Sequence, residues 1–346
     1  MPANAGSPGA GAPGTAAPGR TPHDGPAPRN LHLGRLGLGT APLAGLYRPV
    51  DDRTAAGALE AAWSAGIRYF DTAPHYGAGV AEQRLGAFLR GHPRAEAVVS
   101  TKVGRLLRPG PGRDDAGFPD EPGLRRVLDY SREGVYRSIA ESLARTGLDR
   151  FDVVLIHDPD EHWEHAVGAA YPALAQLRAE GAVSAIGAGM NQSEMLARFV
   201  RETDLDVVLV AGRCTLLDRT ACAELLPLCE RRQVTVVVGG VFNSGVLADP
   251  DSNPHFNYRP AEGSLLRRAR ELRRVCEAHG VPLPAAAVQF PFRQPGVSTV
   301  LIGARDAAEV RTDMDLATTL IPAGLWPELD RIAPPPTGEC DRGSRP

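Results

Sequence analysis

Two rhythms of apolar and polar positions alternate along this chain. Short runs rich in Val, Ile and Leu are separated by longer stretches in which Ala, Leu and Arg recur at helical spacing. The short runs are RLGLGTA from Arg35, IRYFDTA from Ile67, AVVSTKV from Ala97, FDVVLIHD from Phe151, VSAIGAG from Val183, DVVLVAG from Asp206, VTVVVGG from Val234 and VSTVLIG from Val297. Their near-continuous apolar character marks strands buried on both faces, and helices between them mark β/α units around a parallel sheet. Eight such units close a barrel, so the pattern predicts an α/β fold of the (β/α)8 TIM type. Helix signals agree: Asp52 or Thr54 caps TAAGALEAAWSAG with Gly66 as its stop, Ser131 opens a helix ending near Gly147, and a helix from Gly263 to His279 ends at Gly280. Two long connections, 104–130 and 243–263, follow strands, which puts them on the rim where barrel chemistry occurs, as candidate lids and substrate walls.

Length fits this picture, since 346 residues hold a barrel of about 250 residues with extensions. The barrel domain is expected over 31–333. Residues 1–30 are almost entirely Ala, Gly, Pro, Ser and Thr, too poor in apolar surface to offset ordering entropy, and are expected to form a disordered tail, with a second flexible tail at 334–346. The first of these lacks the apolar segment of a secretory signal. With 43% hydrophobic and 23% charged residues and a net charge of −3, the chain matches a soluble enzyme and lacks the basic excess that nucleic acid demands. No run approaches the ~18 apolar residues of a membrane span. Cys214, Cys222, Cys229, Cys276 and Cys340 include no CxxC pair, which argues against a disulfide framework or a zinc knuckle and makes a reduced cytoplasm the expected setting.

Candidate chemistry gathers in FDTAPHYG at 70–77, STKVG at 100–104 and LIHD at 155–158. These strings set Asp71, Tyr76, Lys102 and His157 at or just beyond the carboxyl ends of successive strands, hence on one rim. A phenol with its ordinary pKa of ~10 is a poor base at neutral pH, but an ammonium within ~4–6 Å favours the phenolate. The expectation is a Tyr76 made acidic by Lys102, with Asp71 keeping the ammonium charged and His157 holding the reacting oxygen or passing its proton onward. Such a set moves a proton to or from a carbonyl or alcohol oxygen. The accompanying hydride implies a nicotinamide, because protein side chains do not donate one. Taken singly, each residue has a structural alternative: Asp71 as a turn cap, Tyr76 as a packed aromatic, Lys102 as a solvated charge, His157 as a satisfied histidine in HDPDEHWEH.

On these motifs the sequence resembles the aldo-keto reductase family, whose Asp, Tyr, Lys and His tetrad maps onto Asp71, Tyr76, Lys102 and His157. The resemblance spans roughly 29–333 and includes GLGTAP at 37–42, SIAESLARTGLDRFDVVLIHD from Ser138 and LIGARDAAEV near the carboxyl end. It implies a monomeric or weakly oligomeric barrel that binds NAD(P) in extended form, without a Rossmann domain, and transfers hydride at nicotinamide C4. Gly34, Gly37 and Gly39 lack GxGxxG spacing and read as turn glycines. By the resemblance, Gly39, Thr40, Asp71 and Asn191 lie near the nicotinamide, and GGVFNSGVL from Gly239 carries the phosphates through amides around Asn243, Ser244 and Gly245, with Leu247 beside them. Ile302, Gly303, Ala304, Arg305, Glu309 and Asp313 fall at the adenosine end. NADP-specific members often place Lys, Ser and Arg there; Gly303, Ala304 and Glu309 stand at the matching positions. A carboxylate repels a 2′-phosphate and accepts from a free ribose hydroxyl, so NAD is the expected cofactor, with NADP left open by Arg305.

GAGMNQ at 187–192, AGRCTLLD at 211–218, GGVFNSG and IPAGLWPEL at 321–329 resemble the aldose 1-dehydrogenase branch, which includes L-fucose, L-galactose and D-arabinose dehydrogenases with pyridoxal 4-dehydrogenase as a near relative. The implied reaction oxidises a cyclic hemiacetal to a lactone, with Tyr76 as base on the anomeric hydroxyl. Cys214 stands where the branch usually has tyrosine and reads as a small buried hydrophobe. Tyr47, Arg48, His75 and Trp163, with Tyr76 and His157, are the expected contacts to a sugar or aldehyde. Two other activities stay open, oxidation of pyridoxal and general aldehyde or ketone reduction. A further class is a non-catalytic nicotinamide-binding scaffold or sensor. A metal-dependent hydrolase built on His157, Asp158, Asp160, Glu161, His162 and His165 is disfavoured, because a cluster on one loop does not make an open three-ligand site, and no metal is expected.

Overall fold

A computed structural model describes residues 33–110, 117–118 and 123–333. Eight parallel strands close on themselves: β1 (Leu36–Gly39), β2 (Tyr69–Asp71), β3 (Val98–Val103), β4 (Val153–His157), β5 (Ala185–Met190), β6 (Val207–Ala211), β7 (Thr235–Gly239) and β8 (Val297–Ile302). Each pairs with the next in sequence, and β8 returns to β1 through Val300 opposite Leu36. The expected TIM barrel is the observed architecture. The expected tails, 1–30 and 334–346, lie outside the described residues.

Two separate cores explain the unbroken apolar runs. Tyr69, Val153, Leu155, Ala185, Val207, Leu209, Val237 and Leu301 fill the barrel interior. Their chain neighbours Phe70, Val154, Ile156, Ile186, Val208 and Val236 point outward, into the layer between sheet and helices. That layer is covered by α1 (Asp52–Ser64), α2 (Val80–Leu89), α3 (Arg132–Thr146), α4 (Tyr171–Ala179), α5 (Ser193–Glu202), α6 (Leu225–Arg232), α7 (Gly263–Ala278), α8 (Leu283–Gln289), α9 (Ala307–Thr318) and α10 (Leu325–Ile332). No helix among the described residues is long and apolar enough to cross a membrane.

Helix ends follow their caps. Ser131 accepts from Gly134 N and Gly147 ends α3 in a left-handed conformation, as expected. For α1 the cap is Asp51 rather than Asp52 or Thr54: its carboxylate accepts from Thr54 N at 2.7 Å, and Asp52 becomes the first helical residue, bonded to Arg84. The connection 104–130 is not a plain loop. Arg105–Pro109 pairs antiparallel with Leu124–Leu128, with Leu107 opposite Arg126, forming a hairpin that buries Leu106 and Leu107. The second long connection holds a short antiparallel pair, His255–Phe256 with Arg259–Pro260. Trp163, expected at the substrate, instead packs in the helical layer, 4.6 Å from the Phe199 ring and under the Arg198 guanidinium.

Candidate active site

Strand register builds the site. Asp71 on β2 lies opposite Ser100 on β3, and Lys102 on β3 lies opposite Leu155 on β4. Alternation then points Tyr69, Asp71, Ser100 and Lys102 inward together. Lys102 Nζ donates to Asp71 Oδ2 at 2.6 Å, to the Thr72 carbonyl at 3.1 Å and to Tyr76 Oη at 3.0 Å. Ser100 Oγ donates to the other Asp71 oxygen at 2.7 Å and stands 3.0 Å from Tyr69 Oη. Thr40 donates from both N and Oγ1 to the Asp71 carbonyl. A continuous buried chain therefore runs Tyr69, Ser100, Asp71, Lys102, Tyr76, and only the last of these is partly exposed. Tyr69 and Ser100 were not among the expected site residues. Period-two alternation places each two positions before an expected one, but choosing them also requires the β2–β3 register.

His157 closes the set at the end of β4, its ring centroid 5.9 Å from that of Tyr76. The four expected residues thus meet at one rim. His75 stands beside them, 5.7 Å from the His157 ring and 5.6 Å from the Phe118 ring. The hairpin is tied to this cluster, since Arg126 donates to the His75 carbonyl at 3.1 and 2.9 Å and Arg105 donates to Asp158 at 3.2 Å. Tyr130 Oη reaches the His157 and Asp158 carbonyls at 2.7 and 2.8 Å, clamping the turn after β4. Gly104 makes room for that clamp: a Cβ there would fall 2.1 Å from Tyr130 Cε1, and its φ of +107° suits glycine.

Electrostatics modify one expectation. Burial raises the Tyr76 phenol to about 12, outweighing the opposing pull of Lys102, so the phenol of the free protein keeps its proton more firmly than tyrosine in water. Lys102 is also desolvated, which alone would lower it, yet Asp71 and Tyr76 together hold it above its ordinary value and charged. Burial, then Lys102, His75 and Arg105, push His157 well below the usual histidine range, so it is neutral. His75 falls to about 3 through burial and the nearby cations Arg105, Arg126 and Lys102. The turn carboxyl of Asp158 is raised by burial, with Arg105 opposing.

The chain from residue 35 to 333 matches the model of the aldo/keto reductase family. The chain belongs to the aldo/keto reductase family. It is 46% identical to a D-threo-aldose 1-dehydrogenase of a Pseudomonas species, over 90% of this chain and 98% of that one. It is 41% identical to a pyridoxal 4-dehydrogenase of Microbacterium luteolum, over 85% of this chain and 92% of that one. A glycerol dehydrogenase structure from Gluconobacter oxydans shares the fold, with a TM-score of 0.70 at 22% identity over 90% of this chain and 96% of that one. The chain is thus an NAD(P)-dependent oxidoreductase.

The barrel mouth suits a nicotinamide. At the ends of β6 and β7 the backbones of Gly212 and Gly240 approach so closely that a Cβ on Gly240 would lie 3.0 Å from Gly212 N. Two carboxamides converge beside Gly212, Asn243 Nδ2 donating to its carbonyl at 3.1 Å and Asn191 Nδ2 donating to the Ala211 carbonyl at 3.2 Å. Asn243 Oδ1 is buried with no hydrogen-bond partner among the described residues, an acceptor matched to a carboxamide N–H. Of the amides expected to face phosphate, those of Asn243 and Gly245 are already bonded to the Gly240 and Phe242 carbonyls, and the Leu247 side chain lies in the sheet–helix core. Ser244 Oγ accepts from Tyr258 N at 3.0 Å, and the Tyr258 ring lies 6.4 Å from that of Tyr47. Ile302 and Ala304 are buried at the end of β8, and Gly303 packs where a Cβ would lie 3.0 Å from Pro42 Cγ. Gly39 borders the same place, since a Cβ there would meet the Ile302 carbonyl at 3.6 Å. Arg305 folds onto Glu309, its N and Nε both donating to that carboxylate, and Asp313 is buried one turn further along α9. Cys214 is buried as expected, with its sulfur 3.8 Å from that of Cys222.

Proposed function

We propose that this protein oxidises the anomeric hydroxyl of an aldose to a lactone, with Tyr76 as the general base and NAD as the cofactor. The single observation carrying the mechanism is the placement of Lys102 Nζ between Asp71 Oδ2 at 2.6 Å and Tyr76 Oη at 3.0 Å. The resemblance in sequence to a D-threo-aldose 1-dehydrogenase supports the choice of substrate class.

When bound, the nicotinamide supplies the hydride chemistry. The chain does the rest. In oxidation Tyr76 must first lose its own proton, and the charged Lys102 stabilises the phenolate that then takes the proton of the substrate hydroxyl. Asp71, fixed by Ser100, keeps that ammonium charged and aimed. His157 is neutral, so it adds no further positive charge beside Lys102 and can donate its one N–H to the reacting oxygen. Asn191 and Asn243 would hold the carboxamide of the nicotinamide, and the segment from Gly303 to Asp313 the adenosine end. There Arg305 is neutralised by Glu309, with the capping carboxylate of Asp306 nearby, so a 2′-phosphate would find the Arg305 charge already paired. This favours NAD.

The test is NADH formation across a panel of aldoses, simple alcohols and pyridoxal, run in parallel with NADP. Turnover of aldoses with a kcat/KM preference for NAD is the expected result. Oxidation of pyridoxal alone would replace the substrate assignment, and equal use of NADP would remove the argument from Glu309.

A further inference from the structure

The residue after His157 holds an uncommon backbone geometry. Asp158 holds φ at +40°, a left-handed conformation uncommon for a residue with a Cβ. Its backbone is clamped there, the N donating to the Gly189 carbonyl at 3.1 Å and the carbonyl accepting from Tyr130 Oη at 2.8 Å. The consequence is that its carboxylate leans back over the catalytic rim, with Oδ2 3.4 Å from His157 Nε2. The same oxygen accepts from Arg105 Nη2 at 3.2 Å, and Arg105 comes from the first strand of the hairpin. Their side chains remain 23% and 25% exposed, so neither charge is sealed from solvent. Arg105 Nε is buried with no hydrogen-bond partner among the described residues.

A charged pair set over the reacting position penalises an apolar substrate, which would desolvate it and return no hydrogen bond. A hydroxyl does the opposite, because it can donate to the carboxylate and accept from the guanidinium at once. The distance from His157 selects which hydroxyl. If His157 touches the reacting oxygen, a group bonded to a carboxylate 3.4 Å away belongs to the adjacent carbon. We propose that the Arg105–Asp158 pair is the specificity element of the substrate pocket, recognising the hydroxyl on the carbon next to the one that is oxidised. The inference deepens the aldose reading and rests on it for the identity of the substrate. Its chemistry applies to any 2-hydroxylated alcohol or aldehyde.

The experiment compares kcat/KM for two pairs of compounds differing in that hydroxyl: an aldose against its 2-deoxy analogue in oxidation, and glyceraldehyde against propanal in reduction. The wild type should prefer the hydroxylated member by on the order of 10- to 100-fold, the effect of one hydrogen bond to a charged group. Asp158→Asn, whose amide tolerates a positive φ, should collapse that ratio to within about threefold, with the change carried in KM. Arg105→Gln should do the same and guards against a folding defect peculiar to position 158. A preference kept by both variants, or an equal loss of kcat on both members of a pair, overturns the proposal, the second outcome making the pair a positioning device for His157. Discrimination between glyceraldehyde and propanal without oxidation of any aldose would sink the aldose reading while leaving the recognition element standing.

Discussion

At the scale of single residues, the site depends on a balance between burial and charge at Tyr76. Burial wins in the free protein, with the phenol at about 12. Oxidation needs the phenolate, so its kcat/KM should climb by about tenfold per pH unit from 7 to 10 with no plateau in that range, since this parameter reports the free enzyme. A plateau near pH 8 would show that Lys102 outweighs desolvation after all. Tyr76→Phe removes the proposed proton carrier and should lower turnover by about 10²- to 10⁴-fold, while cofactor affinity, read from quenching of protein fluorescence, stays the same. Asp71 has a different role, because its partner is buried. Asp71→Asn leaves the Lys102 ammonium inside the barrel without its counter-charge and should lower stability by about 3–5 kcal/mol in urea unfolding. A loss under 1 kcal/mol would mean that Lys102 simply gives up its proton. The four expected residues could be read from the chain because Asp71, Lys102 and His157 lie at the carboxyl ends of strand-like runs and Tyr76 follows Asp71 by five positions. The direction of the Tyr76 shift could not, because desolvation is set by how completely neighbours from distant segments cover the ring.

Among the elements, legibility follows the range of the interaction. The barrel strands stand out because burial on both faces writes an unbroken apolar run, and α3 because its cap and stop, Ser131 and Gly147, are local. The hairpin hides because its strands, Arg105–Pro109 and Leu124–Leu128, are joined by no two-residue turn signal and mix arginine with leucine without a period of two. Cap choice at α1 turned on Asp51 against Asp52, adjacent carboxylates that only backbone geometry separates. Helix α9 carries a feature with a pH consequence. Burial, and then Glu309, raise the Asp313 carboxyl from its ordinary 3.8 to about 7, so the folded protein binds a proton there that the unfolded chain releases near pH 4. Stability from this group is therefore present in full below that unfolded value. It declines as pH rises through the window from 4 to 7, by roughly 4 kcal/mol at most. Asp313→Asn has no such titration, so the Tm of the variant minus that of the wild type should become more positive between pH 5 and 8. A difference independent of pH would place the carboxyl in water.

For the molecule as a whole, the barrel interior is both a structural core and the floor of the site, and Leu155 shows that the two cannot be separated. It lies opposite Lys102 on β3 and Gly187 on β5, fully buried. The strand β5 presents glycine to it at 187 and 189, where added Cβ atoms would lie 2.7 and 3.4 Å from the two methyl carbons of Leu155. A Cβ at Gly189 would also lie 3.6 Å from Lys102 Cε, so leucine and the lysine stem share the space that the glycines leave open. Packing of this kind transmits a change in volume, because dense interiors relax only partly around a lost side chain. Leu155→Ala should therefore cost about 2–5 kcal/mol as a cavity. It should also lower kcat, because the Lys102 stem loses its wall and the ammonium its fixed distance of 3.0 Å from Tyr76 Oη. Cofactor affinity should hold, since the proposed nicotinamide seat, at Gly212, Gly240 and Asn243, follows β6 and β7 and not β4. Urea unfolding and steady-state kinetics on the same preparation test both halves, and a variant that loses stability while keeping kcat would show that Asp71 and Thr72 alone suffice to aim the ammonium.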